Sequence, residues 1–422
     1  MNVQSKSVSK PDGGCGPLVG LSEPDVRNLR QLLFERVRAA GAIPRVDLAR
    51  QLGVSPGTVT VLSGELIDRG LVREVTSGKR ESDTGRGRPP VALSVQPKAA
   101  YVVGINLSDL VSSAFVADFS GGRVACARLP RDGTAHSPDA TLSEIEAVLD
   151  AALSEAKLNR KDISRVGLGL PGVIDHREGV ILWSPLSTEP AFSIARLLSA
   201  RIGIPVHVEN DANIAAMAEL WFGKGRSLKD FAVVTIEHGL GMGLVMNHKL
   251  YRGANGIGME IGHTKVHLDG ALCRCGQRGC LEAYVADYAL VREARTALNL
   301  GNRGVTSPQE LLENLYGHAK SGNQGARAIF DRAGRYLSMG LANVATLLDP
   351  PLILLSGERM RYDYLFAEEV LAEMDALTLD TGRPLPKVEI HAWGDLVWAH
   401  GAAALALDAA TQDAFEVGSL LQ

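Results

Sequence analysis

From Asp25 to Ala39 the stretch DVRNLRQLLFERVRA sets Val26, Leu29, Leu32, Leu33 and Val37 at the three-and-four spacing of one helical face, and predicts a helix. RVDLARQLG, ending at Gly53, predicts a second, and SPGTVTVLSGELIDRG a third, opened by Ser55 and Pro56 and closed by Gly70. LVREVTSGKRE and RPPVALSV follow as two short runs around a polar, glycine-containing loop, the pattern of a β-hairpin. Residues 24–95 are therefore expected to form a winged helix-turn-helix. Before it, residues 1–23 are rich in Ser, Gly, Pro and Lys without periodicity, which predicts a disordered tail with Cys15 in it. From Tyr101 on, strands such as AYVVGINL, SSAFVADF, RVGLGLPGVI and FAVVTIEHG alternate with helical stretches such as TLSEIEAVLDAALSEA. That alternation predicts an α/β body, and strands arriving in hairpin-linked groups favour a mixed sheet.

Composition narrows the class. The chain has 422 residues, 45% of them hydrophobic and 22% charged, enough for two to four domains with cores of their own. No apolar run reaches the roughly 18 residues of a membrane span, and the N-terminal lysines are not followed by an apolar stretch like that of a secretory signal. A cytoplasmic protein is expected. Residues 1–90 hold 14 Lys+Arg against 10 Asp+Glu, although the whole chain has a net charge of -4. A basic front on an acidic body suits a module that meets a polyanion.

In a helix-turn-helix the second helix lies in the major groove, its N-terminal residues facing base edges. Here Ser55, Thr58, Thr60 and Ser63 are its hydroxyl donors, and no Lys or Arg appears before Arg69. Basic residues gather instead at Lys79, Arg80, Arg86 and Arg88. In TGRGRPP a glycine separates Arg86 from Arg88, so the backbone can follow a narrow groove while both guanidinium groups reach in. The bland alternatives are a solvated linker for GRGRP and a protein-interaction bundle for the three helices.

In the body, VEND ends the apolar strand IPVHVEND and precedes the helix ANIAAMAELWFG, which puts Asn210 and Asp211 at a strand's carboxyl end, facing a cleft. A carboxylate there can act as a general base, hydrogen-bond a polyol, or simply cap the helix. ANGIGMEIGH adds Glu260 and His263, and CLEAY adds Glu282. Carboxylates and an imidazole beside an Asn-Asp pair suit the hydroxyls of a sugar. CRCGQRGC holds three of the five cysteines; in a reducing compartment such a cluster more often binds metal than forms a disulfide, and Cys126 is expected to be a buried strand residue.

GLPGVID, VENDAN, GMEIGHTKV and CRCGQRGCLEAYV, in this order behind a winged helix, resemble the ROK family of repressors and sugar kinases, and within it the repressor branch. The resemblance runs from about Pro24 to the C-terminal helix. It implies a two-lobed, actin-like (ribonuclease H-like) body of the sugar-kinase type. The first lobe would comprise 96–209 and 396–422. The second, 210–395, would carry the sugar site, a zinc site and an oligomerisation surface. It also implies that Asn210, Asp211, Glu260, His263 and Glu282 face the sugar, that Asp211 matches the kinases' catalytic base, and that His263, Cys273, Cys275 and Cys280 bind structural Zn²⁺. Three Cys and one His fill a tetrahedral shell with no position open for a reactive water. The metal would tie Glu260 and Glu282 to one scaffold, with the second nitrogen of His263 left for a sugar hydroxyl.

The kinases' pattern Asp-x-Gly-x-Thr after the first strand is altered here. GINLSDL has Asn106 for the Asp, Ser108 for the Gly and Leu110 for the Thr, which removes a charge near Mg²⁺ and crowds the phosphate approach. The expectation is a non-enzymatic homodimer or homotetramer that binds operator DNA and is released by a sugar or sugar phosphate. The alternatives are a sugar kinase with a DNA-binding extension, and an activator with the same motifs.

Overall fold

The computed structural model describes residues 13–18, 28–76, 91–297, 307–357, 368–380, 382–391 and 396–416. Two compact units make up the chain, residues 1–229 with 396–422, and residues 230–395.

The first unit opens with α1 (Leu29–Ala40), whose N-terminus is capped by Asn28 accepting the Gln31 N–H, and which turns off at Gly41. β1 (Ile43–Pro44) leads into α2 (Arg45–Leu52), closed by a left-handed Gly53. α3 (Pro56–Asp68) starts on a Ser55 cap with proline at its first position, as its sequence predicts. β2 (Val72–Thr76) and β3 (Val91–Val95) pair antiparallel as the wing, and β1 extends the sheet on the other edge of β3. Two residues give no periodic signal, so β1 was illegible. The helices close on Leu33, Phe34, Val37, Leu48, Val59 and Leu66, all buried.

The rest of this unit is a mixed sheet of order β10-β7-β4-β5-β6. β4 (Tyr101–Leu107), β5 (Val111–Asp118) and β6 (Arg123–Pro130) form an antiparallel meander. After α4 (Pro138–Ala156), β7 (Ile163–Leu170) returns parallel to β4. The small hairpin β8 (Val173–Asp175) and β9 (Val180–Trp183) and helix α5 (Ile194–Ile202) precede β10 (Val206–Asn210), which is parallel to β7 and runs straight into α6 (Asp211–Phe222).

The second unit repeats the plan with order β13-β12-β11-β14-β15. β11 (Phe231–Ile236), β12 (Leu240–Met246) and β13 (Lys249–Tyr251) form its meander. An irregular stretch then leads through α7 (Glu282–Val285) to α8 (Asp287–Ala297), α9 (Pro308–Lys320) and the long α10 (Gln324–Leu348). β14 (Leu352–Ser356) and β15 (Lys387–Ile390), on either side of α11 (Glu368–Leu377), complete the sheet in parallel. α12 (Val397–Phe415) returns to the first unit. Two copies of a three-stranded meander followed by two parallel strands are the ribonuclease H-like arrangement expected of an actin-like body.

α12 explains two strand glycines. A Cβ at Gly104 would lie 2.1 Å from Ala399 O, and one at Gly167 2.0 Å from Ala402 O, so the alanine-rich helix lies directly on β4 and β7. The other face of the sheet is covered by α4 through Ile145, Val148 and Leu149. Tight packing of α6 with α12 assigns α6 to the first unit, so the division falls after Lys229 where the sequence placed it after 209.

Part of the expected tail is ordered, which corrects the placement of Cys15. Cys15 is only 2% exposed, and its N–H donates to Arg38 O at 3.1 Å. Gly16 N–H reaches Trp221 O at 2.8 Å, and Arg226 donates to Gly13 O, Gly16 O and Ala39 O. The segment 13–18 is thereby strapped to the end of α1 and the end of α6. Cys126 is half-buried rather than buried, because β6 is an edge strand. Among the described residues no helix is long and apolar enough to cross a membrane.

Candidate ligand, metal and DNA sites

Asn210 is the cap of α6: its Oδ1 accepts the Ala212 N–H at 2.9 Å and the Asn213 N–H at 3.4 Å, and its Nδ2 donates to Gly172 O at 2.7 Å. The capping role that the sequence allowed for Asp211 thus falls mainly to Asn210. Asp211, the first helical residue, accepts the Ala212 N–H at 2.8 Å. Burial pushes its carboxyl up to about 6, with the Ala212 N–H pulling the other way and the Asp109 charge adding to the rise. Such a carboxyl sits close to its titration point at neutral pH and can take a proton from a hydroxyl or share one with it.

Asp109 belongs to the β4–β5 turn. Ser108 N–H and Oγ both donate to Val111 O, at 3.0 and 2.9 Å, and Arg131 Nη1 donates to Ser108 O at 2.7 Å. Arg131 pairs with Glu144, which also takes the Ser112 hydroxyl and lies 3.2 Å from His136 Nδ1. Local partners therefore occupy this turn. Asn106, 5% exposed at the end of β4, has no hydrogen-bond partner for its Oδ1 among the described residues.

In the second unit, Glu260, His263 and Glu282 lie with the cysteines on the stretch after β13. His263, Cys273, Cys275 and Cys280 each offer a ligand atom, and the four atoms lie within 4.8 Å of one another. This group could hold a metal ion. Cys273 Sγ is 3.7 Å from His263 Nδ1, and Cys275 Sγ is 3.7 Å from Cys280 Sγ. At 3.7 Å the two sulfurs are not bonded, and all five cysteines are free thiols. Gly279, at φ 75, permits the turn that delivers Cys280; a Cβ there would lie 1.7 Å from His267 O. Lys265 Nζ donates to Cys280 Sγ at 2.8 Å, and Tyr288 Oη to Cys273 Sγ at 3.5 Å.

Glu282 begins α7 and is 9% exposed. Its carboxylate accepts the Leu240 N–H at 3.3 Å and the Tyr288 hydroxyl at 3.3 Å, and its Oε1 is 3.7 Å from Cys273 Sγ. Glu260 is exposed. The structure thus joins His263 and Glu282 through the cysteine cluster inside one unit, while Asn210 and Asp211 belong to the other. Sequence reasoning missed Lys265 and Tyr288, and also the His238 to Asp287 pair at 3.1 Å, where Asp287 is 3% exposed. Only the closeness of Lys265 and Tyr288 to the cysteine motif hinted at them.

On α3, Ser55 and Thr60 are exposed and Thr58 half-buried. Ser63 is not available to DNA: it is 0% exposed, donating to Thr60 O at 3.1 Å and accepting from Arg45 Nε at 2.9 Å. With Val59 and Leu66 it falls at i, i+4 and i+7 on the face turned to the core. Lys79, Arg80, Arg86 and Arg88 lie outside the described residues.

The family model described as "ROK family" matches residues 104–409 of the chain. A putative xylose repressor of Caldicellulosiruptor sp. is 26% identical over 349 residues, 80% of this chain and 85% of that protein. The DNA-binding transcriptional dual regulator NagC of Escherichia coli is 27% identical over 77% of this chain and 79% of its own length. Among solved structures, a ROK family transcriptional regulator, homologue of the E. coli MLC protein, superposes with a TM-score of 0.74 at 22% identity, covering 92% of this chain and 96% of its own. The ROK hexokinase of Thermus thermophilus gives a TM-score of 0.63 at 29% identity, covering 74% of this chain and 99% of its own.

Proposed function

The chain belongs to the ROK family, and from that premise we propose that it is a sugar-responsive, DNA-binding transcriptional regulator, a repressor of carbohydrate uptake or catabolism genes that a sugar effector releases. The observation that carries this is the winged helix docked on the body: the hexokinase leaves about a quarter of this chain uncovered, whereas the regulator's structure covers 92%. Curated relatives named as xylose repressors, and one named as a DNA-binding transcriptional dual regulator, support it. Ser55, Thr58 and Thr60 would face DNA, with Lys79, Arg80, Arg86 and Arg88 on phosphate or minor groove. The protein would act in the cytoplasm as a homodimer or homotetramer.

The effector set is Asn210 and Asp211 in the first unit and Glu260, His263 and Glu282 in the second. Asp211 keeps the base of the kinase members, but the metal and phosphate side is lost. Asn106 cannot supply an anionic charge, and the Ser108 N–H is already committed to Val111 O. Turnover of ATP-Mg²⁺ is therefore not expected with any hexose.

Structural Zn²⁺ is the metal the cluster fits. With Zn–S bonds of about 2.3 Å, tetrahedral geometry separates two sulfurs by about 3.8 Å, beside the 3.7 Å between Cys275 and Cys280. Three thiolates and one imidazole form a closed shell, and the metal would contribute cross-linking rather than a reactive water. His263 turns Nδ1 to Cys273, leaving Nε2 for an effector hydroxyl. Lys265 and Tyr288 steady the sulfurs of Cys280 and Cys273, and Tyr288 also holds Glu282.

A route to DNA follows from α6. Its first turn carries Asn210 and Asp211, and its last carries Trp221, whose ring lies 4.5 Å from the Arg38 guanidinium of α1. Arg38 is 3% exposed and donates to Thr411 of α12 at 2.6 Å. An effector that shifts α6 would thereby move the winged helix. The test is whether a sugar releases the protein from its DNA site without ATP.

A further inference from the structure

The outward face of α3 lacks the basic and amide groups that usually read guanine and adenine, and its two carboxylates, Glu65 paired with Arg30 and Asp68, stand toward its C-terminal end. PGTVTVLSGELID contains no Lys, Arg, Asn or Gln. Thr60 Oγ1 donates its proton to Pro56 O at 2.9 Å. Ser55 Oγ accepts the Thr58 N–H at 3.1 Å, and one of the two hydroxyl protons of this pair is spent between them, at 2.8 Å. Ser63 is buried. Of the four hydroxyls, one proton remains to read a base edge.

Up to the exposed Asp68 of the last turn, the strip of α3 beside these hydroxyls is apolar and smooth. Val61 is 63% exposed. Gly57 and Gly64 stand four before and three after it on the same helical face, opposite the buried Val59, Ser63 and Leu66. A Cβ at Gly64 would meet nothing within 4 Å, and one at Gly57 only Ser55 Oγ at 3.7 Å. An exposed valine is an ordinary surface feature elsewhere. On the groove-facing side of a recognition helix it meets one apolar base substituent, the C5-methyl of thymine, and flanking glycines let the helix approach closely.

We propose that α3 reads thymine methyl groups in the major groove through Val61 and the methyl of Thr60, so that base specificity there rests on the positions of methyls rather than on hydrogen bonds to base edges. This rests on the DNA-binding reading above. It predicts a thymine at a fixed place in each half-site.

The intact, zinc-loaded protein is used to select duplexes from a random-sequence pool, and the selected site is resynthesised with each thymine in turn replaced by deoxyuridine, which removes only the methyl. At the contacted thymine the affinity should fall about fourfold, the worth of one buried methyl. Val61→Ala should show a comparable loss on the thymine site and no further loss on the uracil site, with an unchanged melting temperature because Val61 is exposed. A strongly selected site that tolerates uracil at every position, or a Val61→Ala protein that still distinguishes thymine from uracil as wild type does, overturns the methyl reading. Failure to select any sequence overturns DNA binding itself.

Discussion

Asp211→Asn should make the first unit more stable at pH 8 and leave it unchanged at pH 4. The folded carboxyl lies at about 6 against 3.8 for the free group. A rise of that size corresponds to about 3 kcal/mol, an upper bound because Asp211 is only half-buried. The folded state holds this proton more tightly than the unfolded chain. The favourable contribution is therefore complete below the unfolded value, is lost as pH rises through about 6, and stays lost above. Asparagine imitates the protonated acid and keeps an acceptor for the Ala212 N–H. Urea unfolding of the intact protein at pH 4 to 8, followed by tryptophan fluorescence in a Trp393→Phe background, reads the relevant unit, since the other three tryptophans, Trp183, Trp221 and Trp398, all belong to it. The variant should match wild type at pH 4 and exceed it by about 1 to 3 kcal/mol at pH 8. Parallel profiles across the range, or a variant less stable at pH 8, would refute the reasoning.

Cys275→Ser should abolish stoichiometric zinc, measured by elemental analysis, and lower the melting temperature; full metal content in the variant would remove Cys275 from the ligand set. Lys265→Gln takes a cationic donor from Cys280 Sγ and should weaken zinc affinity about 10-fold to 100-fold in a chelator competition, as loss of a supporting partner does elsewhere. Arg38→Ala should cost about 2 to 4 kcal/mol in denaturant, from a charged hydrogen bond and a buried cation–π contact. It should also blunt release of DNA by the effector, and release as sharp as in wild type would exclude α6 from the coupling route.

Where local chemistry decides the structure, the sequence was readable. Ser55 and Pro56 start α3, Gly53 ends α2, and the cysteine spacing brings four ligand atoms together. Where distant partners decide, it was not. Ser63 is a hydroxyl on an apolar stripe, and its burial depends on Arg45 as partner. The segment GGCGP has no periodicity, yet its backbone is paired by Arg38, Trp221 and Arg226, residues up to 213 positions away. The lobe boundary moved because α6 is buried from Ala212 to Phe222 and packs against α12, a contact that joins segments far apart in the chain. Tyr288 of α8 and Lys265 come against the cysteine cluster through tertiary folding rather than through any motif.

The most direct test of a sugar-released regulator is a titration of the protein bound to its selected DNA site with free and phosphorylated sugars, with and without ATP-Mg²⁺. Release by one sugar, with a weakening of DNA binding of about tenfold or more and no ADP formed, is the predicted result. Absence of specific DNA binding together with hexose phosphorylation at about one turnover per second would contradict it.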